Sequence, residues 1–115
     1  MNVIFHVDEM EHWAMALGNV RNMLDWLHQN KETYQIEVLA NGPAVRAYLP
    51  SALADSLSVI MAQAKAEGVV FAACRNALRA QSIEPETLIE KTTVVPAGVV
   101  ELAQKQQAGF AYIKP

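Results

Sequence analysis

Apolar residues gather in five short blocks, at residues 3–7, 34–40, 69–73, 92–95 and 110–113. Each is four to seven residues long and rich in β-branched or aromatic side chains, the mark of strands buried in a sheet. The stretches between them keep a different rhythm. Trp13, Leu17, Val20, Leu24 and Leu27 recur at four- and three-residue steps, with Asn19, Arg21, Asn22 and Asp25 filling most of the rest. That stripe predicts a helix running to about His28. Asp8, with Glu11 three positions later, reads as a capping box at its start.

The second connection opens on the turn Asn41-Gly42-Pro43 and continues as a short helical turn over residues 44–48. Pro50-Ser51 then starts a longer helix with Leu53, Leu57, Ile60, Met61 and Ala64 on one face, closed by Gly68. Residues 76–80 form a helical turn or two after the third strand. Pro85 sits in the first turn of a brief helix before the fourth. The last helix spans residues 98–107, with Val99, Leu102, Ala103 and Gln106 along one side and Gly109 at its end.

Five strands alternating with four helical connections predict one α/β domain over residues 1–115. Its architecture is a three-layer α/β/α sandwich around a five-stranded, mainly parallel sheet with right-handed crossovers. Strand order is not contained in these patterns.

Composition narrows the partners. Hydrophobic residues make up 52% of the 115 and charged residues 18%, with a net charge of −3. That balance, with no basic cluster, excludes nucleic acid and an anionic membrane surface as main partners. The apolar surplus points to other copies of the chain covering part of the surface. No apolar run approaches the ~20 residues of a bilayer span, and the N-terminus reads as a first strand. A cytoplasmic, reducing location is expected. The one cysteine cannot form an intrachain disulfide, and no Cys/His spacing matches a zinc site.

Parallel strands deliver their C-terminal ends to one rim, where open α/β sheets bind ligands. Residues 6–8, Asn41-Gly42, Cys74-Arg75-Asn76 and residues 96–98 meet there. Cys74 has two readings. Free cysteine is often a small buried hydrophobe. Alternatively, unpaired N–H groups at a helix start, together with Arg75 and Arg79, favour a nucleophilic thiolate. His6 is a candidate base or anion contact, or a structural histidine. Asn41-Gly42 is a turn or a ligand-binding loop. Asp8, Glu9, Glu11 and His12 match no ligand pattern, so no metal is expected, and no organic cofactor either.

Other users of the architecture fail at the loops. The acidic stretch after the first strand would repel the phosphate of a flavin nucleotide, and Gly-x-Gly-x-x-Gly is absent. A phosphorelay receiver needs an aspartate where this chain has Cys74.

The segments Val3-Ile-Phe-His-Val, Val38-Leu-Ala-Asn-Gly42 and Phe71-Ala-Ala-Cys74-Arg-Asn-Ala-Leu78 resemble the DsrE/DsrF-like family of small sulfur-relay proteins, including its YchN-like members. So do Val94-Val-Pro-Ala-Gly-Val-Val-Glu-Leu102 and Gln104-Lys-Gln-Gln-Ala-Gly-Phe-Ala-Tyr-Ile113. The resemblance implies a three-layer fold assembled into homotrimers or hexamers. It also implies a sulfurtransferase or relay role in which Cys74 accepts sulfane sulfur as a persulfide. Protein sulfur donors and acceptors are then the implied partners. His6, Asn41, Gly42, Arg75 and Asn76 are the candidate ligand-binding set around it. The alternative is a non-catalytic ligand-binding or assembly module in which Cys74 only packs.

Overall fold

A computed structural model describes residues 1–115. The elements run β1 (Asn2–Val7), α1 (Trp13–Gln29), β2 (Gln35–Ala40), α2 (Asp55–Ala66), β3 (Val70–Cys74), α3 (Arg75–Ala80), β4 (Thr92–Val95), α4 (Gly98–Gln107) and β5 (Ala111–Ile113). Three 3₁₀ turns, Met10–His12, Gly42–Tyr48 and Pro85–Thr87, lie between them. The five strands form one all-parallel sheet in the order β4-β3-β2-β1-β5.

That order fixes the layers. The first three crossovers step the same way across the sheet, and the fourth returns over its whole width. With right-handed connections the first three therefore share one face, and α4 alone covers the other. The packing matches. Val3, Phe5 and Val7 join the α1, α2 and α3 residues in a cluster of 25 buried side chains. Ile4, Leu39 and Ala72 meet only Leu102, Val95 and Phe110 on the α4 face.

All five residues of the α1 stripe are buried. Trp13 donates its indole N–H to the Ala44 carbonyl at 3.0 Å and sits edge-on to Tyr48, with ring centroids 5.4 Å apart. The Tyr48 hydroxyl reaches the carbonyls of Val38 and Ala72 at 3.2 and 3.1 Å. This ties the Gly42–Tyr48 turn to the two central strands.

Four local expectations need correction, the first in α4, where Val99, Ala103 and Gln106 are exposed and the buried side runs through Gly98 and Leu102. The capping box is not made: neither Glu9 nor His12 caps with its side chain, and Asp8 instead accepts from Lys114 at 2.9 Å. The second helix starts at Asp55, because Ser51 takes a left-handed conformation (φ 63°) incompatible with a helix opening at Pro50-Ser51. Val70, the first residue of β3, is 41% exposed, so that strand is not covered on both faces throughout.

Candidate functional site

Every strand ends at the same rim, and alternation decides which side chains share a face. His6 pairs in register with Leu39, Ile4 with Tyr112, and Cys74 with Val95. His6, Leu39 and Tyr112 therefore project toward α4.

His6 is held from both sides. Its Nε2 lies 2.9 Å from Asn41 Oδ1, and its Nδ1 lies 2.6 Å from the Tyr112 hydroxyl. An amide oxygen only accepts, so Nε2 carries the proton, and Nδ1 of the neutral ring accepts from Tyr112. Both nitrogens are thus occupied. His6 is no free base in this arrangement; it orients Asn41. Beyond Tyr112 the chain is pinned again where Lys114 donates to Asp8. That bond holds the Asp8 carboxyl below its usual range and raises the Lys114 ammonium above its own.

Cys74 is both the last residue of β3 and the N-cap of α3, with extended backbone (φ −68°, ψ 121°). Its Sγ accepts from the Ala77 N–H at 3.4 Å. The sulfur occupies the place of a capping oxygen, which is how a strand runs directly into a helix with no intervening loop. The residue is only 7% exposed. Part of that cover is α4: a Cβ placed on Gly98, its first residue, would stand 3.2 Å from Cys74 Cβ and 3.3 Å from Asn41 Cβ. Gly98 therefore seats the helix between the thiol-bearing residue and the amide.

The candidate ligand set divides. His6, Asn41 and Cys74 converge beneath the start of α4. Gly42, in the left-handed region (φ 53°), faces the Asp8 carbonyl, where a Cβ would come within 3.3 Å. Its role is to turn the chain at the rim. Arg75 and Asn76 are exposed on α3. Arg75 lines a cleft of about 530 Å³ with Arg79, Ser82 and Glu84, and Cys74 is not among its walls. No carboxylate pairs with either arginine. No cluster of three or more metal-ligating side chains exists.

Two contributors escaped the sequence reading. Tyr112 sits in the last strand, and nothing local shows that β5 pairs with β1. Glu37 lies mid-strand with a carboxyl that is 6% exposed. Its only cation is Lys105, at 3.7 Å. Burial and the neighbouring Glu101 carboxyl push it up to about 8. An acid inside a short apolar block was the available signal.

A protein-family model for the DsrE/DsrF-like proteins matches residues 4–115. The chain belongs to the DsrE/DsrF-like family. Among solved structures, a protein of unknown function from Methanobacterium thermoautotrophicum is 32% identical, covering 99% of this chain and 98% of its own, with a TM-score of 0.86. The YchN protein of E. coli is 16% identical, over 100% of this chain and 99% of its own, with a TM-score of 0.76. A conserved protein of unknown function from Bacteroides thetaiotaomicron is 10% identical, over 99% and 94%, with a TM-score of 0.73. The last two establish the fold alone. No curated protein matches. As a DsrE/DsrF-like chain it has the all-parallel α/β sheet, and none of its helices is long and apolar enough to cross a membrane.

Proposed function

We propose that this protein is a sulfur carrier whose Cys74 accepts and passes on sulfane sulfur, in the cytoplasm and without metal or organic cofactor. The observation that carries the reading is the chain's one cysteine at the strand–helix junction of the rim, in a DsrE/DsrF-like chain. The Cys74 thiolate attacks the outer sulfur of a donor persulfide, R–S–SH. The donor's S–S bond breaks, R–S⁻ leaves, and Cys74–S–SH remains. An acceptor thiolate then attacks that outer sulfur, becomes the new persulfide, and regenerates the Cys74 thiolate. The Ala77 N–H, already directed at the sulfur, and the nearby Arg75 charge support the anionic forms. Donor and acceptor are proposed to be proteins.

Intact-mass measurement after exposure to glutathione persulfide tests this. One added sulfur on the wild type and none on Cys74→Ser is the expected result. No addition from that donor or from inorganic polysulfide refutes it.

Burial of Cys74 favours a second reading, a non-catalytic ligand-binding or assembly module with Cys74 as packing. In that case a thiol reagent reaches Cys74 only after denaturation. Self-assembly, as a homotrimer or hexamer, belongs to both readings. Exposed Val70, Val99, Val100 and Tyr112 support it.

A further inference from the structure

Glu37 is the one charged residue type in the buried set, and its Oε2 has no hydrogen-bond partner. On the strands beside it, the register places Ile4 and Val70, both apolar. From α4 it is faced by Glu101, within hydrogen-bonding reach, and by Lys105 at 3.7 Å. From the opposite layer only the buried Tyr48 hydroxyl feels its charge, and that group is committed to strand carbonyls. Two carboxylates and one loosely placed ammonium leave one anion uncompensated, with the Glu37 carboxyl nearly cut off from solvent, a costly arrangement. A proton on Glu37 removes the conflict. The orphan oxygen becomes a donor, Glu101 accepts, and Lys105 balances the single remaining charge.

We infer that α4 is fastened to the sheet by a proton shared between Glu37 and Glu101, and that giving up this proton loosens α4 and uncovers Cys74. The fastening matters because little else holds this helix. Its face of the sheet buries six apolar residues, against 25 on the other. The layer with the smallest apolar cluster is the first to open locally. The uncovering follows from Gly98, the helix's first residue, which lies against Cys74 at its Cβ, while the larger cluster packs on the rest of that residue. This second half rests on the sulfur-carrier reading for its purpose, while the first half does not.

The direction is set by linkage. In the closed state Glu37 keeps its proton up to about pH 8, whereas a solvated Glu37 in the open state releases it near 4.5. Opening therefore releases a proton and is favoured as pH rises, by about tenfold per pH unit between those limits, and levels off above them. Around neutrality the cover sits on the slope.

Amide hydrogen exchange across α4, divided by the intrinsic rate, tests this on the intact chain from about pH 5 to about pH 9. The wild type is expected to show the rise and the plateau. Glu37→Gln flattens the profile, and Glu101→Gln moves the plateau to lower pH. Modification of Cys74 by a thiol reagent, referred to the denatured protein at the same pH, tracks the opening. Exchange in α4 that keeps to the intrinsic rate throughout overturns the inference, and so does a Glu37→Gln chain with the wild-type slope. If Glu37→Gln does not fold, carboxyl-carbon NMR of the wild type decides: a Glu37 midpoint near that of an ordinary glutamate refutes the shared proton. Helix opening without greater Cys74 reactivity removes the cover alone. Failure of persulfide loading leaves the exchange result standing, because no sulfur enters that measurement.

Discussion

Single atoms set the tolerances at this rim. Gly98 has no room for a methyl group, and the atoms it would meet are Cβ carbons fixed close to the backbone. Gly98→Ala is expected to destabilise the fold by about 1–3 kcal/mol through overpacking and to shift the start of α4, read by denaturant unfolding and by Cys74 reactivity. Tyr112→Phe removes the donor to His6 Nδ1 without touching Asn41. Its expected signature is spectroscopic: nitrogen NMR of the imidazole shows the Nε2–H form in both wild type and variant, because Asn41 Oδ1 still accepts from Nε2, while the Nδ1 resonance shifts with the loss of the Tyr112 hydrogen bond. A wild type already mixed contradicts the arrangement. The chain itself makes His6 and Asn41 visible as rim residues, since each follows directly from its strand's position. It does not show that they touch, because that contact spans 35 residues and depends on register.

At the scale of elements, periodicity carried most of the information. The α1 stripe was legible because burial on one side leaves a repeat in the sequence. The extents of β4 and α4 came instead from turn residues, and the buried side of α4, through Gly98 and Leu102, is not the one the spacing predicts. Where local geometry competes with pattern, the reading slipped. Leu53 continues an apolar face, yet Ser51 turns left-handed and the helix begins later. Asp8 and Glu11 have capping-box spacing, but Lys114 arrives from the far end of the chain and takes the carboxylate. Unequal layers also make a prediction. Leu17 and Leu102 are both buried, on opposite faces. Each Leu→Ala change costs about 2–5 kcal/mol, and Leu102→Ala falls at the low end because the thin α4 layer can settle into the space. Equal losses in chemical denaturation would argue against that difference.

For the whole molecule, Glu37 ties stability to pH. Its folded value lies above its ordinary 4.5, at about 8. The stabilisation it contributes is therefore fully present below the unfolded value and is lost as pH rises toward the folded one. Asp8, held low by Lys114, acts in the opposite sense and loses its contribution as pH falls through its depressed value. Denaturation midpoints should decline from about pH 5 to about pH 8, with Glu37→Gln losing most of that decline. A wild-type midpoint that climbs over the range contradicts the assignment. Sedimentation equilibrium addresses assembly: Val99→Glu with Val100→Glu is expected to lower the mass toward the monomer, since both side chains are exposed on α4. An unchanged mass moves the interface elsewhere.

By itself the sequence determined five strands, their helical connections, a common carboxyl rim and a solitary thiol upon it. Each of these is written in spacing between near neighbours, which burial imprints directly. The tertiary structure decided the strand order, the lone helix on one face, the grip of Tyr112 and Asn41 on His6, and the enclosure of Glu37. Those depend on which distant segments become adjacent, and adjacency between remote residues leaves no period along a single chain.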